Sequence, residues 1–290
     1  MTPLISILLV ASLGLLMATA AAGLAAALAG ARVPQAALPD GGGSTRARLE
    51  ATLPLALGWG LAASAVMLGT ALLLRAIVIG HAPWSNLHEF SIAFATALLV
   101  THLLLARSYP IDGLAPLTAL LAAGLVAFAL GNDDAVQPLV PALQQPLLLT
   151  VHVGTAAIAY AVAGVAFLAA VAELAQRATS DGIGLLPSAS VARAVMHRAV
   201  LIAFPVLTIA IVLGSVWANL AWRSYWSNDP KELAAAATWL VFGAYLHVAG
   251  RRDRLGSLAP WLVVLGFVGV LFTYIGAGLF IVGEHSYGTG

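Results

Sequence analysis

The sequence contains no cysteine and very little charge. Only 9% of its 290 residues are Asp, Glu, Lys or Arg, against about 25% in soluble domains, while 61% are hydrophobic. Without thiols, the chain can form no disulfide, thiolate nucleophile or zinc–thiolate site. The 13 basic and 12 acidic residues nearly cancel, which excludes a nucleic-acid binder with a broad basic surface. What remains is a membrane protein whose histidines are the metal ligands to consider.

Eight stretches are long and apolar enough to cross a membrane as helices, since about 20 residues span the hydrocarbon layer. They are residues 3–30, 53–80, 89–106, 112–131, 146–175, 196–218, 233–250 and 260–283. Their many Ala and Gly residues allow helices to approach closely. The sequence therefore predicts an all-α polytopic membrane protein. We expect a bundle of about eight transmembrane helices, forming a single integral membrane domain over residues 1–290.

The few basic residues predict the orientation of this bundle. One set of loops carries ten of the 13 Lys and Arg residues, and the opposite set carries only Arg223 and Lys231. Arg75 lies within the second predicted span. Because loops rich in Lys and Arg stay in the cytoplasm, both termini are predicted on the non-cytoplasmic side. The segment 214–232 is then external.

The histidines gather at the predicted outer face. Four of the seven lie there, namely His81, His88, His152 and His285. The others lie toward the inner face, namely His247 in the seventh span, together with His102 and His197, which we interpret as structural. Neutral imidazole is a good ligand of haem iron, and two imidazoles on opposite faces make the iron six-coordinate. A haem site at the outer face is therefore a hypothesis to test.

The densest local signal is the segment 214–232, which reads GSVWANLAWRSYWSNDPKE. It holds Trp217, Trp222 and Trp226 within ten residues. An interfacial aromatic belt explains one or two of them. Flat aromatic walls with a few fixed polar groups suit a planar, mostly apolar ligand such as haem, whose propionates Arg223 and Lys231 could face. Asp229 followed by proline also predicts a helix start, with Asp229 as the N-cap.

This segment resembles the tryptophan-rich "WWD" signature of the haem-handling proteins of cytochrome c maturation. The nearest resemblance is to the CcsA family of System II, with CcmC and CcmF as more distant relatives. Further pieces match in order over about residues 80–288: HAPWSNLHE (81–89), LTVHVGTAAIAY (149–160), FPVLTIAIVLGSVWAN (204–219), TWLVFGAYLH (238–247) and HSYG (285–288). Asn228 and Ala234 depart from it, because tryptophan is usual in that family at both positions.

The resemblance implies a haem-binding role for the external segment 214–232. His152 and His285 would be the axial ligands of a non-covalently held, b-type haem. The residues expected around that haem are Trp217, Trp222, Trp226, Arg223, Asp229 and Lys231. His247 would serve a second haem site within the membrane, to which a CcsB-like (ResB-like) partner adds its own histidine.

The implied function is cytochrome c maturation. The chain would move haem across or within a bacterial inner membrane and present it to the CxxCH motif of an apocytochrome c. The haem site would face the periplasm or exterior, and the chain would be one component of a cytochrome c haem lyase (synthase) complex. The missing cysteine agrees with this chemistry, because the substrate supplies the thiols.

Other functions remain open at this point. A cytochrome b-like electron-transfer subunit would use His88 and His102, which lie 14 residues, or about 21 Å, apart along one helix. A divergent haem exporter of the CcmC type is another possibility. A transporter without a cofactor would predict charges at mid-membrane. The predicted spans show no such charge apart from Arg75 and Glu173, and both of these lie near helix ends.

Overall fold

The computed structural model describes residues 2–30, 45–136, 146–179, 182–251 and 254–277. Regular structure in these ranges is entirely helical. The eight long helices are α1 (Pro3–Leu28), α2 (Thr45–Ile79), α3 (Leu87–Ala106), α4 (Ala115–Leu130), α5 (Gly154–Ala178), α6 (Ala189–Trp222), α7 (Pro230–Val248) and α8 (Ala259–Leu271). This confirms the predicted all-α class.

Most of these helices are suited to cross a membrane. In the described part of the chain, seven helices are long and apolar enough to do so, and α7 is the long helix outside that set. Helix α7 has 19 residues but begins with Lys231 and Glu232, which lower its mean hydropathy. The helix predicted over 233–250 therefore forms, over Pro230–Val248. The chain is an integral membrane protein of about eight helices.

Helices α3 and α5 occupy the centre of the bundle. Helix α3 packs against α2, α4 and α5, and α5 packs in addition against α6 and α8. Small residues permit this close packing, since a Cβ added to Gly164 of α5 would lie 3.0 Å from Leu98 of α3 and 3.4 Å from Phe267 of α8. Helix α1 lies against α2 and α4, and α7 lies against α6 and α8.

Polar contacts fix which helix ends lie together. At one end, Arg75 near the end of α2 pairs with Glu89 at the start of α3. There His88 also donates a hydrogen bond from Nδ1 to the carbonyl of Ala129, in the last turn of α4. At the opposite end, Glu173 of α5 accepts hydrogen bonds from Arg177 and Arg193. We call these the His152 end and the Glu173 end, because His152 stands at the start of α5.

Two π-helical turns lie at the His152 end. Leu149–Val153 leads into α5, and Phe272–Gly276 continues α8. Such wide turns are rare and frequently occur at functional sites. The first contains His152, while the second packs Tyr274 against Phe90 with ring centroids 5.2 Å apart. The chain after this second turn leads toward His285, which lies outside the described residues.

Candidate functional site

A hydrogen bond from the ring holds His152 against α6. Its Nδ1 lies 2.9 Å from the backbone carbonyl oxygen of Ala210. A carbonyl only accepts, so Nδ1 carries the proton, and the lone pair of the neutral ring is on Nε2. Histidines that ligate metals are typically fixed in this way, with one ring nitrogen donating to a backbone carbonyl. The imidazole is therefore set in the tautomer that an iron ligand needs.

Gly214 makes room for this ring. A Cβ at position 214 would lie 2.8 Å from Cε1 of His152 and 3.4 Å from its Nδ1. Real Cβ atoms essentially never approach so closely, so any other residue would push the imidazole away from α6. The glycine sits one helical turn after Ala210, on the same face of α6. The carbonyl that accepts the hydrogen bond and the glycine that leaves space for the ring thus come from consecutive turns of α6.

Trp217 forms the wall beside His152. The two ring centroids are 5.3 Å apart at an interplanar angle of 72°, an edge-on contact. The Trp217 side chain is only 5% exposed, and it packs in a small cluster with Trp84, Leu148, Val153 and Ala221. The cluster is separate from the main core of the bundle. The cluster connects the C-terminal end of α6, the π-helical turn and the loop before α3.

The chain after α6 folds back over the helix end. Arg223 closes α6 in the left-handed region, at φ 60°, and Asn228 adopts φ 59°. Ser215 of α6 donates a hydrogen bond to the carbonyl of Tyr225, which ties the loop to the helix. The indole nitrogen of Trp226 donates to Asn228, and the Trp226 side chain is 41% exposed. The loop therefore presents an aromatic ring at the surface above α6.

Asp229 starts α7, as predicted from the sequence. Its carboxylate accepts a hydrogen bond from the backbone N–H of Lys231, and Glu232 reaches back to the N–H of Asp229. Together they make a capping box. Asp229 is 5% exposed. Its carboxylate is thus engaged with the backbone of the first turn of α7.

The two cations of this segment differ in environment. Arg223 is exposed at the end of α6. Lys231 is half-buried, and burial lowers its pKa from its ordinary value of 10.5, while the nearby Asp229 carboxylate acts in the opposite direction. Lys231 therefore gains more than Arg223 from an anionic neighbour, because a partly desolvated cation lacks water to stabilise its charge. Trp222, the last residue of α6, directly precedes Arg223 and is half-buried.

Three other histidines serve helix packing. His88 is 1% exposed and bonded to Ala129 of α4. His102 is 2% exposed and hydrogen-bonds through Nδ1 to Thr118, also on α4. Both rings are buried where α3 packs against α4, whereas His152 is partly exposed, and this burial argues against a cytochrome b-like haem pair on α3. His197 of α6 is exposed and contacts the Tyr245 hydroxyl at 3.3 Å.

His247 is distant from the tryptophan segment. It lies in the last turn of α7, and the 17 residues from Pro230 correspond to roughly 25 Å of helix. Its side chain is exposed on the surface of the bundle. The structure thus brings His152 and Trp217 into contact and places His247 toward the Glu173 end. The other predicted ligand, His285, lies outside the described residues.

Sequence reasoning did not identify Trp84 and Gly214 as part of this site. Trp84 sits in the HAPWSNLHE stretch, 133 residues before Trp217, and nothing local connects the two. Gly214 is one of 28 glycines, and the residue type alone does not indicate a role. The sequence offered one sign of its role: Gly214 precedes Trp217 by three residues, so the two share a face of the helix.

Comparisons with known proteins agree in one family. The sequence profile described as "Cytochrome C assembly protein" matches residues 84–285. The chain is 35% identical over 254 residues to "Cytochrome c biogenesis protein CcsA" of Parasynechococcus marenigrum (strain WH8102), covering 77% of this chain and 83% of that protein. It is 36% identical over 260 residues to the protein of the same name from Synechococcus sp. (strain CC9605), covering 79% and 85%.

The fold has a solved counterpart. The structure of "Cytochrome c Heme Lyase CcmF" superposes with a TM-score of 0.57 at 21% identity, covering 94% of this chain and 47% of that one. This chain thus spans about half the length of that protein, and the likeness concerns the fold. Taken with the profile match over more than half of the chain and with the two CcsA relatives, the chain belongs to the cytochrome C assembly protein family.

Proposed function

We propose that this chain handles haem in the maturation of c-type cytochromes and presents it at the His152 end. The observation that carries the proposal is the fixed tautomer of His152, whose Nδ1 donates to Ala210 beside the buried Trp217. The names of the relatives, which refer to cytochrome c biogenesis, support the same function. Haem is here a substrate in transit, held without a covalent bond.

The proposed ligands of the haem iron are His152, through Nε2, and His285. Trp217 forms a wall beside the first ligand, and Trp222 and Trp226 extend the aromatic surface along the end of α6. Lys231 and Arg223 supply positive charge for the propionates. Asp229 contributes indirectly, because its capping of α7 fixes where Lys231 stands.

The chemistry places few demands on this chain. Attachment adds each thiol of the CxxCH substrate across a haem vinyl group, so that the sulfur bonds to one carbon and the proton goes to the other. The addition neither oxidises nor reduces the reactants overall. The protein contributes by holding the iron and the macrocycle in one orientation while the substrate binds, which raises the effective concentration of the reacting groups.

Charge at the Glu173 end supports an orientation. Basic residues at that end include Arg107, Arg177, Arg193, Arg198 and Arg251, whereas the His152 end holds Arg223 and Lys231 in its loops. By the positive-inside rule, the Glu173 end is cytoplasmic. The His152 end then faces the periplasm or the exterior of a bacterial cytoplasmic membrane, where apocytochromes receive haem.

His247 is proposed as the ligand of a second haem nearer the cytoplasm. Its exposure on α7 leaves it accessible to a membrane partner of the CcsB or ResB type, which would supply the opposite histidine. Haem would bind at this histidine first and then move to the His152 site. Histidine inside a membrane is costly and is by default functional, which favours such a role.

The proposal is tested by complementation. A bacterium whose own member of the family has been deleted receives the wild-type chain or His152→Ala, and covalent haem staining measures its c-type cytochromes. We expect the wild type to restore staining and His152→Ala to abolish it, with equal amounts of protein in the membrane. His197→Ala, at the opposite end, serves as the control and should restore staining. Normal staining with His152→Ala would contradict the proposal.

A further inference from the structure

A buried ion pair anchors the loop that precedes α3. Glu89 is 1% exposed and Arg75 is 4% exposed, and Nε of Arg75 donates to Oε1 of Glu89 at 2.9 Å. The second carboxylate oxygen of Glu89 accepts from both the backbone N–H and the hydroxyl of Ser85, at 2.9 and 2.8 Å. Asn86 caps α3 by accepting from the N–H of Glu89.

This ion pair does more than join two helices. Burying two charges in an apolar bundle is expensive, and hydrophobic side chains of similar volume often stabilise such a contact better. The pair is also incompletely satisfied, since Nη2 of Arg75 has no hydrogen-bond partner among the residues that the structure describes. What apolar side chains could not supply is an acceptor for the two hydrogen bonds from Ser85. The carboxylate therefore fixes the loop as well as the helix.

The residue presented by this loop is Trp84. It directly precedes Ser85, and its indole packs against Trp217 in the small cluster at the His152 end. The ring also lies 3.5 Å from the position that a Cβ on Gly154, the first residue of α5, would occupy. Gly154 is two residues after His152. The Trp84 ring thus contacts Trp217 of α6 and approaches the start of α5, and Trp217 in turn contacts His152.

We propose that Trp84 contacts the haem bound by His152, and that Glu89 is a positioning residue that acts through Trp84. The inference rests on the proposed function of the His152 site and adds a binding residue to it. Trp217 and Trp84 together give the apolar macrocycle two aromatic surfaces from opposite parts of the chain. The carboxylate of Glu89 keeps the second surface in place without touching the haem.

The first test measures how fast haem leaves the full-length protein. The purified protein is loaded with haem in detergent, and transfer to an apo-globin scavenger is followed by absorption. Trp84→Ala should release haem about 10-fold faster than the wild type, and Trp84→Phe less than about 3-fold faster, in line with the cost of losing one aromatic contact. The control is Trp261→Ala, which removes a tryptophan that is 57% exposed on α8 and should leave the rate unchanged.

The second test asks whether the ion pair acts through Trp84. Arg75→Met combined with Glu89→Leu removes the anchor without leaving an unpaired charge, and should also raise the release rate about 10-fold. Added to Trp84→Ala, it should change the rate by less than about 2-fold, whereas independent effects would multiply to about 100-fold. Ser85→Ala, a mild change in the loop, should raise the rate about 2-fold, and keeps the test informative if the double variant does not fold. The control is Glu173→Gln, in the ion-paired cluster at the Glu173 end. Its effect on the haem release rate should be the same with and without Trp84→Ala.

The outcomes separate this inference from the function on which it rests. If His152→Ala loses the haem spectrum while Trp84→Ala releases haem at the wild-type rate, the role of Trp84 is wrong and the His152 site stands. If the anchor variants and Trp84→Ala raise the haem release rate by factors that multiply when combined, Glu89 does not act through Trp84. If His152→Ala retains the wild-type spectrum, the proposed site and this inference fail together.

Discussion

Substitution of Gly214 by alanine probes the His152 site without removing any of its polar groups. The new Cβ would lie 2.8 Å from Cε1 of His152, whereas carbon atoms in good contact are about 3.5–4.0 Å apart. The ring therefore has to retreat by about 1 Å. The Nδ1 to Ala210 distance of 2.9 Å then exceeds the limit of a hydrogen bond. His152 would lose both its tautomer and its orientation.

The expected cost falls on haem binding and not on folding. Losing the hydrogen bond that orients a metal-ligating histidine typically lowers affinity by about 10–100-fold, or about 1.4–2.7 kcal/mol. Alanine is also the better helix former, by about 1 kcal/mol, which opposes any strain in α6. We therefore expect the free energy of unfolding of the haem-free protein to change by less than about 1 kcal/mol.

Haem titration followed by absorption is the assay, with thermal unfolding in the same detergent as the measure of folding. Gly58→Ala is the matched control, since a Cβ at that position of α2 meets nothing within 4 Å. It makes the same change of helix propensity and should leave haem affinity unaltered. Wild-type affinity in Gly214→Ala, or an equal loss in both variants, would refute the role given to Gly214.

Three further predictions follow from the contacts around the site. Asp229→Ala should destabilise the protein by about 1 kcal/mol through loss of the capping box, while Asp229→Ser, which can still cap, should keep both thermal stability and haem affinity. If Asp229→Ser is stable but does not bind haem, Asp229 contacts the haem directly. Burial lowers the pKa of Lys231 in the folded state below 10.5. Between that lowered pKa and 10.5, the unfolded state binds one proton more than the folded state, so the free energy of unfolding rises with pH. Lys231→Met should flatten this rise. Haem propionates beside Lys231 would raise that pKa again, so haem affinity should fall as pH rises through the same window in the wild type but not in Lys231→Met. His88→Ala should lower thermal stability by about 1–3 kcal/mol by leaving Ala129 without its side-chain donor, yet leave the absorption spectrum of bound haem unchanged; a shifted spectrum would give His88 a role at the iron.

The bundle was predictable because its signal is local and strong. Long apolar runs and a 9% share of charged residues define the helices without any knowledge of their partners. The start of α7 was equally predictable, since Asp229, Pro230 and Glu232 specify a helix N-cap within four residues. The ends of α6 extend past the predicted 196–218 at both sides, because helices continue into the interface where hydropathy no longer marks them.

The site was only partly predictable because its contacts are not local. The sequence indicated His152 and Trp217 separately, whereas the approach of the two rings depends on how α5 packs along α6. Trp84 reaches the same cluster through a loop held by Glu89 and Arg75, and no pattern within that loop indicates where its indole points. The role of Gly214 emerges only when the His152 ring is placed against it.

One absorption spectrum tests directly whether His152 binds haem iron through Nε2. His152→Gly is purified beside the wild type, and absorption is recorded before and after adding free imidazole. We predict that the variant loses the six-coordinate haem spectrum and that imidazole, entering the space vacated by the side chain, restores it. An unchanged spectrum in His152→Gly without imidazole would contradict the claim.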